Sequence, residues 1–329
     1  MGADFSLLQK QVEEQGELVS HLQKELSKVI VGQTHLLNCL IVAVLSNGHV
    51  LLEGMPGLAK TLAIKTLSSF IHAKFSRIQF TPDLLPADLL GTMIYNQRKE
   101  EFIVRKGPLF ANIILADEIN RAPAKVQSAL LEAMQERQIT IGDETFALEE
   151  PFLVMATQNP VDQEGTYTLP EAQIDRFLLK ILITYPTREE EALIIRQPFE
   201  PQIKTEPSRI YPADIMKARN LVRAIYMDPQ VEKYIVDIVY ATRFPAQVQL
   251  PKLAGLISYG ASPRASLGLA IASRAIAFMN HRHFVKPEDV RSVVHDVLRH
   301  RIGVSFEGQA ENYNSDQLLE EILKVVPVP

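Results

Sequence analysis

Apolar and polar positions follow two different patterns along this chain, and the pattern changes near Tyr185. Before that residue, short apolar runs predict buried strands, and stretches with apolar positions three or four residues apart predict helices between them. The predicted strands cover His49–Leu52, Ser76–Phe80, Asn112–Ala116, Phe152–Ala156 and Leu178–Ile183. Because strands alternate with helices, this part of the chain is expected to form an α/β fold with a doubly wound, mostly parallel sheet.

Helices and two hairpins complete this first part of the chain. The predicted helices cover Ser6–Val29, Thr34–Leu45, Lys60 to about Ile71, a segment that starts at Pro123, and Glu171–Phe177. Short alternating runs around polar turns predict β-hairpins within residues 92–105 and 139–148. Such hairpins are additions to a parallel α/β unit, and additions of this kind often carry function. Basic residues near the first hairpin, among them Arg77, are interleaved with acids and are expected to form a solvated face.

After Tyr185 both the composition and the periodicity change. Residues 186–212 contain five prolines and one predicted helix, Glu189–Arg196, which is typical of a connector. From Ala213 onward only helical patterns are found, over Ala213–Tyr226, Pro229–Phe244, Ala265–Asn280, Pro287–Arg299 and Asp316–Val325. The predicted organisation is an N-terminal helix of the core (1–30), an α/β core (31–185), the connector (186–212) and a small all-helical domain (213–329).

The composition limits the classes of function to consider. With 329 residues, 47% of them hydrophobic and 22% charged, the chain can bury a sizeable core. The net charge of −5 gives no general electrostatic reason to bind nucleic acid or an anionic membrane. The apolar runs are too short to span a bilayer, the N-terminus does not resemble a signal peptide, and the lone Cys39 is expected to be a buried structural thiol. The sequence therefore predicts a cytoplasmic protein.

The segment Leu51–Thr61 has the pattern of a phosphate-binding loop: a strand, a glycine-bearing turn and a helix that starts near Lys60. Backbone N–H groups of such a turn and the positive end of the helix attract phosphate oxygens. The Lys60 amine would reach the β- and γ-phosphates, and the Thr61 hydroxyl would ligate Mg²⁺. Ala59 stands where a second glycine is usual. An ordinary strand-to-helix turn is the alternative interpretation.

Two acids at the end of a predicted buried strand supply further parts of a phosphate site. Asp117 and Glu118 follow the apolar run, where buried acids are costly unless a cation is present. We expect Asp117 to hold Mg²⁺ and Glu118 to act as general base toward an attacking water. Asn159, which follows the next strand, could orient that water. The alternatives are a helix-capping acid pair and a turn-forming asparagine before Pro160.

Two arginines complete the candidate site. Arg176 follows Asp175 near the end of a predicted helix, just before the last predicted strand. Arg264 follows Ser262-Pro263, an N-cap and a first-turn proline. A cation in the first turn opposes the helix dipole at a cost of about 0.3–1 kcal/mol, which indicates an anionic partner. A surface arginine paired with a local carboxylate is the alternative.

Together these motifs resemble those of the AAA+ ATPases and, within them, the MoxR group. The resemblance rests on Gly54–Thr61, Asp117–Lys125, Ala156–Pro160 and Leu169–Phe177. It implies an AAA+ P-loop core, with residues 213–329 corresponding to the lid domain. It also accounts for Ala59, because the group carries alanine at this position. The two predicted hairpins correspond to insertions that are typical of the group, one in helix 2 and one before sensor 1.

The resemblance also implies roles for single residues. The Walker B glutamate, sensor 1, the arginine finger that reaches a neighbouring subunit, and sensor 2 correspond to Glu118, Asn159, Arg176 and Arg264. The magnesium ligands correspond to Thr61 and Asp117. The residues expected to contact the nucleotide are Val31, Gly32, Gly54, Met55, Pro56, Gly57, Leu58, Ala59, Lys60, Thr61 and Leu62.

The function implied by the resemblance is hydrolysis of ATP with Mg²⁺ by a ring, expected to be a hexamer, with each site between two subunits. Hydrolysis would drive chaperone-like remodelling or maturation of protein partners, including proteins with von Willebrand factor A domains. Neither nucleic-acid binding nor membrane insertion is expected. The alternatives are an AAA+ motor stimulated by nucleic acid, a nucleotide-gated scaffold with little turnover, and a small-molecule kinase that uses the same loop.

Overall fold

The chain divides into two units in the computed structural model, which describes residues 2–55, 57–158, 167, 169–196 and 210–329. One unit contains His21–Arg176 and Ile181–Met216. The other unit contains Met1–Ser20, Phe177–Lys180 and Lys217–Pro329. Within the described residues, no helix has both the length and the hydrophobicity that a membrane span requires.

Up to residue 196, helices and strands alternate much as the sequence predicts. The helices are α1 (Gly2–Val29), α2 (Thr34–Ser46), α3 (Lys60–Phe70), α4 (Pro86–Leu90), α5 (Ala124–Glu136), α6 (Glu171–Ile174) and α7 (Arg188–Arg196). The strands are β1 (Val50–Glu53), β2 (Phe75–Gln79), β3 (Gly91–Asn96), β4 (Glu101–Lys106), β5 (Ile113–Asp117), β6 (Gln138–Ile141), β7 (Glu144–Ala147), β8 (Leu153–Gln158) and β9 (Leu179–Leu182). In β5 and β8 every residue except the last is buried, because helices cover both faces of a parallel sheet.

Five strands of the described chain form one sheet in the order β2–β5–β8–β1–β9. The pairs β2–β5, β5–β8 and β8–β1 are parallel, which confirms the predicted doubly wound α/β fold. Leu52 lies opposite Thr157, and Gln79 lies opposite Asp117. Residues at the carboxyl ends of these strands therefore meet along one edge of the sheet, where ligands bind in open α/β folds.

The two predicted hairpins are confirmed as β3–β4 and β6–β7. Helix α6 is shorter than predicted. It ends at Ile174, and Asp175 and Arg176 form a turn. The reason lies in Phe177, which is completely buried and stands two residues before the start of β9. The chain must leave the helix to place this ring in the core and to begin an extended strand.

Beyond residue 210 the structure is mainly helical. The helices are α8 (Pro212–Ala224), α9 (Pro229–Arg243), α10 (Leu253–Leu256), α11 (Pro263–Met279), α12 (Pro287–Leu298), α13 (Phe306–Ala310) and α14 (Ser315–Val325). Two short antiparallel strands, β10 (Ile257–Tyr259) and β11 (Gly303–Val304), add to the predicted helices. A Cβ at Gly303 would lie 2.1 Å from the Tyr259 ring, so the close approach of these strands requires glycine.

Buried cationic and imidazole side chains in the second unit bind backbone carbonyls. Arg301 is only 4% exposed, and its guanidinium donates to three carbonyl oxygens. They belong to Phe177 at 2.6 Å, to Leu178 at 3.1 Å and to Val297. His300 is also buried, and its Nε2 lies 3.0 Å from the Phe177 oxygen. Burial, and then the nearby charge of Arg301, hold the pKa of His300 well below its usual value, so the imidazole is neutral.

Candidate functional site

A cleft of about 440 Å³ opens at the carboxyl ends of the central strands, beside the N-terminus of α3. Residues of the predicted phosphate-binding loop line it, namely Gly54, Gly57, Leu58, Ala59, Lys60, Thr61 and Leu62. Strand ends supply Arg77, Gln79, Asp117, Glu118, Thr157 and Gln158. The sheet topology therefore brings the loop together with both acids that the sequence singled out.

Backbone conformation shapes the loop. Gly57 has a φ of +86° and Ala59 a φ of +56°, both in the left-handed region. Glycine adopts this conformation freely, whereas for alanine it costs on the order of 1–2 kcal/mol. At Gly54 a Cβ would lie 2.7 Å from the carbonyl oxygen of Ile183, so the close approach there also requires glycine. The loop leads directly into α3 at Lys60, where the first helical N–H groups can donate to an anion.

The amine of Lys60 lies close to the loop backbone and to the two acids. Its Nζ donates to the carbonyl oxygen of Gly54 at 2.6 Å. Partial burial lowers the pKa of Lys60, and the carboxylates of Asp117 and Glu118 partly offset this effect. An anion bound in the cleft would stabilise the charged amine further, because an opposite charge at short range favours the protonated form.

Both carboxylate oxygens of Asp117 are bonded. Oδ2 accepts from Nη2 of Arg77 at 2.6 Å and from its Nε at 3.2 Å. Oδ1 accepts from the Thr157 hydroxyl at 2.7 Å. The Asp117 side chain is 17% exposed and that of Arg77 is 50% exposed, so the ion pair faces solvent on its arginine side. A cation that enters the cleft can therefore replace Arg77 at Oδ2 while Oδ1 keeps its internal partner.

Glu118 follows β5 in a left-handed conformation, with φ of 56° and ψ of 52°. Its N–H donates to Oγ1 of Thr157 at 2.8 Å. Its Oε2 accepts from Nε2 of Gln79 at 3.1 Å and from Nη1 of Arg121 at 3.0 Å. Partners on two neighbouring elements thus orient the carboxylate, which remains 30% exposed and accessible to water.

The donor atoms in the cleft fit a magnesium ion. Thr61 offers a hydroxyl oxygen and Asp117 a carboxylate, and both residues line the same cavity. Mg²⁺ prefers oxygen ligands and retains several waters, so one or two protein ligands together with phosphate oxygens suffice. Among the described lining residues there is no cysteine or histidine, the side chains that softer metals select.

Comparison with known proteins assigns the chain to a family. A model described as "ATPase family associated with various cellular activities (AAA)" matches residues 49–179, and an AAA lid domain model matches residues 254–322. Chaperone MoxR1 of Mycobacterium tuberculosis is 48% identical over 93% of this chain and 81% of its own length. Protein MoxR of Paracoccus denitrificans is 30% identical over 92% of this chain and 94% of its own. The chain belongs to the MoxR family of AAA+ ATPases.

A crystal structure supports the same assignment of fold. A protein from Cytophaga hutchinsonii that carries the provisional assignment of an ATPase is similar with a TM-score of 0.92. It is 47% identical, and the match covers 99% of this chain and 99% of that one. The predicted AAA+ core with a lid domain is therefore confirmed.

The two arginines that the sequence predicted for the site, Arg176 and Arg264, belong to different units of the chain. Arg176, in the turn after α6, lines a separate cavity of about 310 Å³, together with Glu132 and Glu136 of α5. Arg176 is not among the described residues that line the main cleft. Arg264 is exposed and is the second residue of α11, after Pro263, as the sequence predicted. It belongs to the second unit.

Some predicted nucleotide contacts lie elsewhere or outside the described residues. Val31 and Gly32 connect α1 to α2. Neither of them, nor Met55, is among the described residues that line the cleft. Pro56 and Asn159 lie outside the described residues, so the roles proposed for them stay predictions.

Sequence reasoning missed Arg77, Gln79 and Thr157. It grouped Arg77 with the basic residues of the first hairpin, whereas the structure places this side chain in the cleft, against Asp117. A signal was present, because Arg77 and Gln79 flank the buried Ile78 on β2 and so share one face of the sheet. Only the pairing of β2 with β5 decides that this face meets the two acids.

Proposed function

We propose that this protein is an ATPase that binds ATP with Mg²⁺ in the cleft and hydrolyses it. The observation that carries the proposal is the convergence of Lys60, Asp117 and Glu118 on one cavity at the N-terminus of α3. A cation on a helix start, an oxygen ligand for a metal and an accessible carboxylate are the parts that phosphoryl transfer to water requires. Membership of an AAA+ family supports the same reaction.

Binding is assigned to the loop and to the first turn of α3. The loop N–H groups and the Lys60 amine would hold the β- and γ-phosphates, and Thr61 and Asp117 would hold Mg²⁺. Held by these residues, the metal would supply positive charge that offsets the negative charge developing on the phosphate oxygens. Arg77, which occupies Oδ2 of Asp117 in this structure, would give up that oxygen when the metal binds.

Glu118 is proposed as the general base. A water attacks the γ-phosphorus, its proton passes to the Glu118 carboxylate, and the bond to the β-phosphate oxygen breaks to release ADP and phosphate. The bonds from Gln79 and Arg121 to Oε2 leave Oε1 available to accept from that water. Asn159 is proposed to orient the water, and Arg264, in the Ser-Pro-Arg sequence at the start of α11, is proposed as a further cation for the nucleotide.

We also propose that the site is completed by a second subunit in a ring, expected to be a hexamer. Arg176 is outside the described lining of its own cleft and lies in a cavity with Glu132 and Glu136. This position supports a role at the nucleotide of a neighbouring copy. An arginine supplied in trans can accelerate phosphoryl transfer by about 10³–10⁵-fold.

The output of the cycle is proposed to be chaperone-like remodelling or maturation of protein partners, in the cytoplasm. The similarity to a protein named Chaperone MoxR1 supports this part of the proposal. Partners with von Willebrand factor A domains are proposed on the family resemblance alone.

The experiment compares phosphate release and ATP binding for the purified wild type and Glu118→Gln. The variant keeps the shape of the side chain but cannot take a proton from water, so kcat should fall by about 10²–10⁴-fold. The affinity for ATP should stay close to that of the wild type. Glu17→Gln, at an exposed position on α1, is the matched control and should retain full activity.

Two outcomes would count against the proposal. A wild type that binds no ATP in the presence of Mg²⁺ would contradict the assignment of the cleft. A Glu118→Gln variant with normal turnover would contradict the assigned base. A rate that rises on addition of DNA and falls steeply with salt would instead indicate a motor that acts on nucleic acid.

A mixing experiment tests the shared site. Arg176→Ala and Glu118→Gln should each be inactive, but a neighbouring pair can combine the intact Glu118 of the first with the intact Arg176 of the second. Equimolar mixing should therefore restore part of the activity. Absence of recovery in rings shown by native mass spectrometry to contain both variants would rule out a finger supplied in trans.

A further inference from the structure

Thr157 lies between the two acids of the cleft, on the last but one residue of β8. The residue is only 2% exposed. Its hydroxyl oxygen is 2.7 Å from Oδ1 of Asp117 and 2.8 Å from the backbone nitrogen of Glu118. One side chain on β8 thus contacts both acidic residues at the end of β5.

The chemistry of these groups fixes the direction of both hydrogen bonds. A backbone N–H can only donate, so Oγ1 of Thr157 accepts from Glu118. An ionised carboxylate can only accept, so the single hydroxyl proton of Thr157 is donated to Asp117. The proton of the Thr157 hydroxyl is therefore committed to Asp117, and one of its two acceptor lone pairs is used by the Glu118 N–H.

The contact with Glu118 matters because of the backbone at that residue. Its φ of 56° and ψ of 52° are disfavoured for any residue with a Cβ, and they aim the side chain along a direction that an extended continuation of β5 would not give. Strained conformations of this kind persist only where surrounding contacts hold them. The bond from the Glu118 N–H to Thr157 is such a contact, made at the strained residue itself.

The contact with Asp117 matters because of the carboxylate orientation. Oδ1 is held by the buried Thr157, while Oδ2 faces the more exposed Arg77. With one oxygen fixed from inside the sheet, the other is directed into the cleft. A hydrogen bond to the oxygen that does not bind metal orients a ligating carboxylate, and loss of such a bond commonly lowers metal affinity or activity about 10–100-fold.

We propose that the Thr157 hydroxyl is a positioning group that sets the metal-binding acid and the base of the cleft at the same time. This inference rests on the ATPase function proposed above. In this role Thr157 acts through the two acids and not by contact with nucleotide or metal, because the residue is only 2% exposed and its single hydroxyl proton bonds Asp117. The neighbouring strand fixes where the hydroxyl lies, since Thr157 is opposite Leu52 of β1 and one residue beyond the Ala156–Ala116 pair with β5.

The test compares Thr157→Val with Thr157→Ser. Valine keeps the shape of threonine without the hydroxyl, and serine keeps the hydroxyl without the methyl group. The first readout is binding of a fluorescent ATP analogue during a titration with Mg²⁺, which requires no turnover. The second readout is kcat from phosphate release, and circular dichroism checks that each variant is folded.

Thr157→Val should raise the Mg²⁺ concentration for half-maximal nucleotide binding about 10-fold or more and lower kcat by about 10–100-fold. Binding of the analogue without Mg²⁺ should change less than about twofold, because Lys60 and the loop are untouched. Thr157→Ser should recover both quantities to within a few-fold. A residue that served only packing would show the reverse order, with serine as the more damaging change.

Several outcomes would overturn the inference. One is a Thr157→Val variant with wild-type Mg²⁺ dependence and kcat, and another is a Thr157→Ser variant as impaired as Thr157→Val. Thr157→Ala removes the same hydroxyl without placing a methyl group beside the acids. It replaces Thr157→Val in both measurements if the valine variant does not fold. If both fail to fold while Thr157→Ser folds, the hydroxyl is a folding determinant and not a positioning group. A wild type that binds no Mg²⁺–ATP would instead refute the proposed function.

Discussion

Two buried or half-buried cations, Lys60 in the cleft and Arg301 in the second unit, are held in different ways. The Nζ of Lys60 donates to the Gly54 carbonyl and lies near two carboxylates, and burial lowers its pKa. The guanidinium of Arg301 donates to three backbone carbonyls, of which the Phe177 oxygen is 2.6 Å away. Lys60 lines a cavity, whereas Arg301 is 4% exposed.

The difference indicates which polar groups act on a ligand and which support the fold. Backbone carbonyls cannot leave, so a cation bonded to several of them is a permanent part of the structure. A cation at the wall of a cavity, with a depressed pKa and acids beside it, gains when an anion enters. The same reasoning applies to the acids, because Asp117 meets the half-exposed Arg77, which a metal ion can displace.

The largest effect is expected for Arg301→Met, which keeps most of the side-chain length and removes the donors. The carbonyls of Phe177, Leu178 and Val297 would lose a charged partner, and a hydrogen bond to a charged group contributes about 1.5–3 kcal/mol. We expect the free energy of unfolding to fall by about 3 kcal/mol or more, measured by urea unfolding with circular dichroism.

Arg223→Met, at an exposed position on α8, is the matched control and should change stability by less than about 0.5 kcal/mol. Lys60→Met sharpens the comparison, because it should leave stability almost unchanged while it weakens ATP binding. Two results would contradict the assignment of Arg301 to the fold and Lys60 to ligand binding. One is an Arg301→Met variant with wild-type stability, and the other is a Lys60→Met variant that is destabilised as much as Arg301→Met.

Much of the cleft could be predicted because its residues belong to motifs. Lys60 and Thr61 follow a strand and a glycine-bearing turn, and Asp117 and Glu118 end an apolar run, so local sequence alone identified them. Thr157 could not be identified in this way. Its role depends on two bonds to residues about forty positions away, and these exist only because β8 pairs with β5.

The remaining differences also arise from contacts distant in sequence. The helical pattern continued through Phe177, but burial of this ring and the start of β9 end α6 at Ile174. The short strand β11 could not be predicted, since two residues carry no periodicity, and the requirement for Gly303 appears only beside the Tyr259 ring. In the sequence Arg301 cannot be distinguished from an exposed basic residue. Its role depends on the fold, which places the Phe177 carbonyl oxygen next to its guanidinium.

A smaller effect is expected from pH at His300. Its pKa is well below 6.5 in the folded protein and returns to about 6.5 on unfolding, so below that pH only the unfolded chain gains the proton. The free energy of unfolding should therefore fall as pH decreases below 6.5. Relative to pH 7.5, this single group should reduce stability by on the order of 1 kcal/mol at pH 5.5.

His300→Gln isolates this contribution, because its amide can still donate to the Phe177 carbonyl but does not titrate. The measurement is urea unfolding of both proteins at pH 7.5 and pH 5.5. The stability of the wild type relative to the variant should be lower at the acidic pH. A difference that stays constant across the two pH values would show that His300 does not remain neutral in the folded protein.

The smallest effect concerns strain in the loop, for which the chain offers a reciprocal pair of variants. Ala59 has φ of +56°, so Ala59→Gly should raise the free energy of unfolding by up to about 1 kcal/mol, since relief of strain exceeds the added entropy of the unfolded chain. At Gly57, with φ of +86°, nothing lies within 4 Å of an added Cβ. Gly57→Ala should therefore destabilise by about 1 kcal/mol through backbone strain alone. Urea unfolding of the two variants should shift in opposite directions, and equal shifts of one sign would contradict a left-handed loop at both positions.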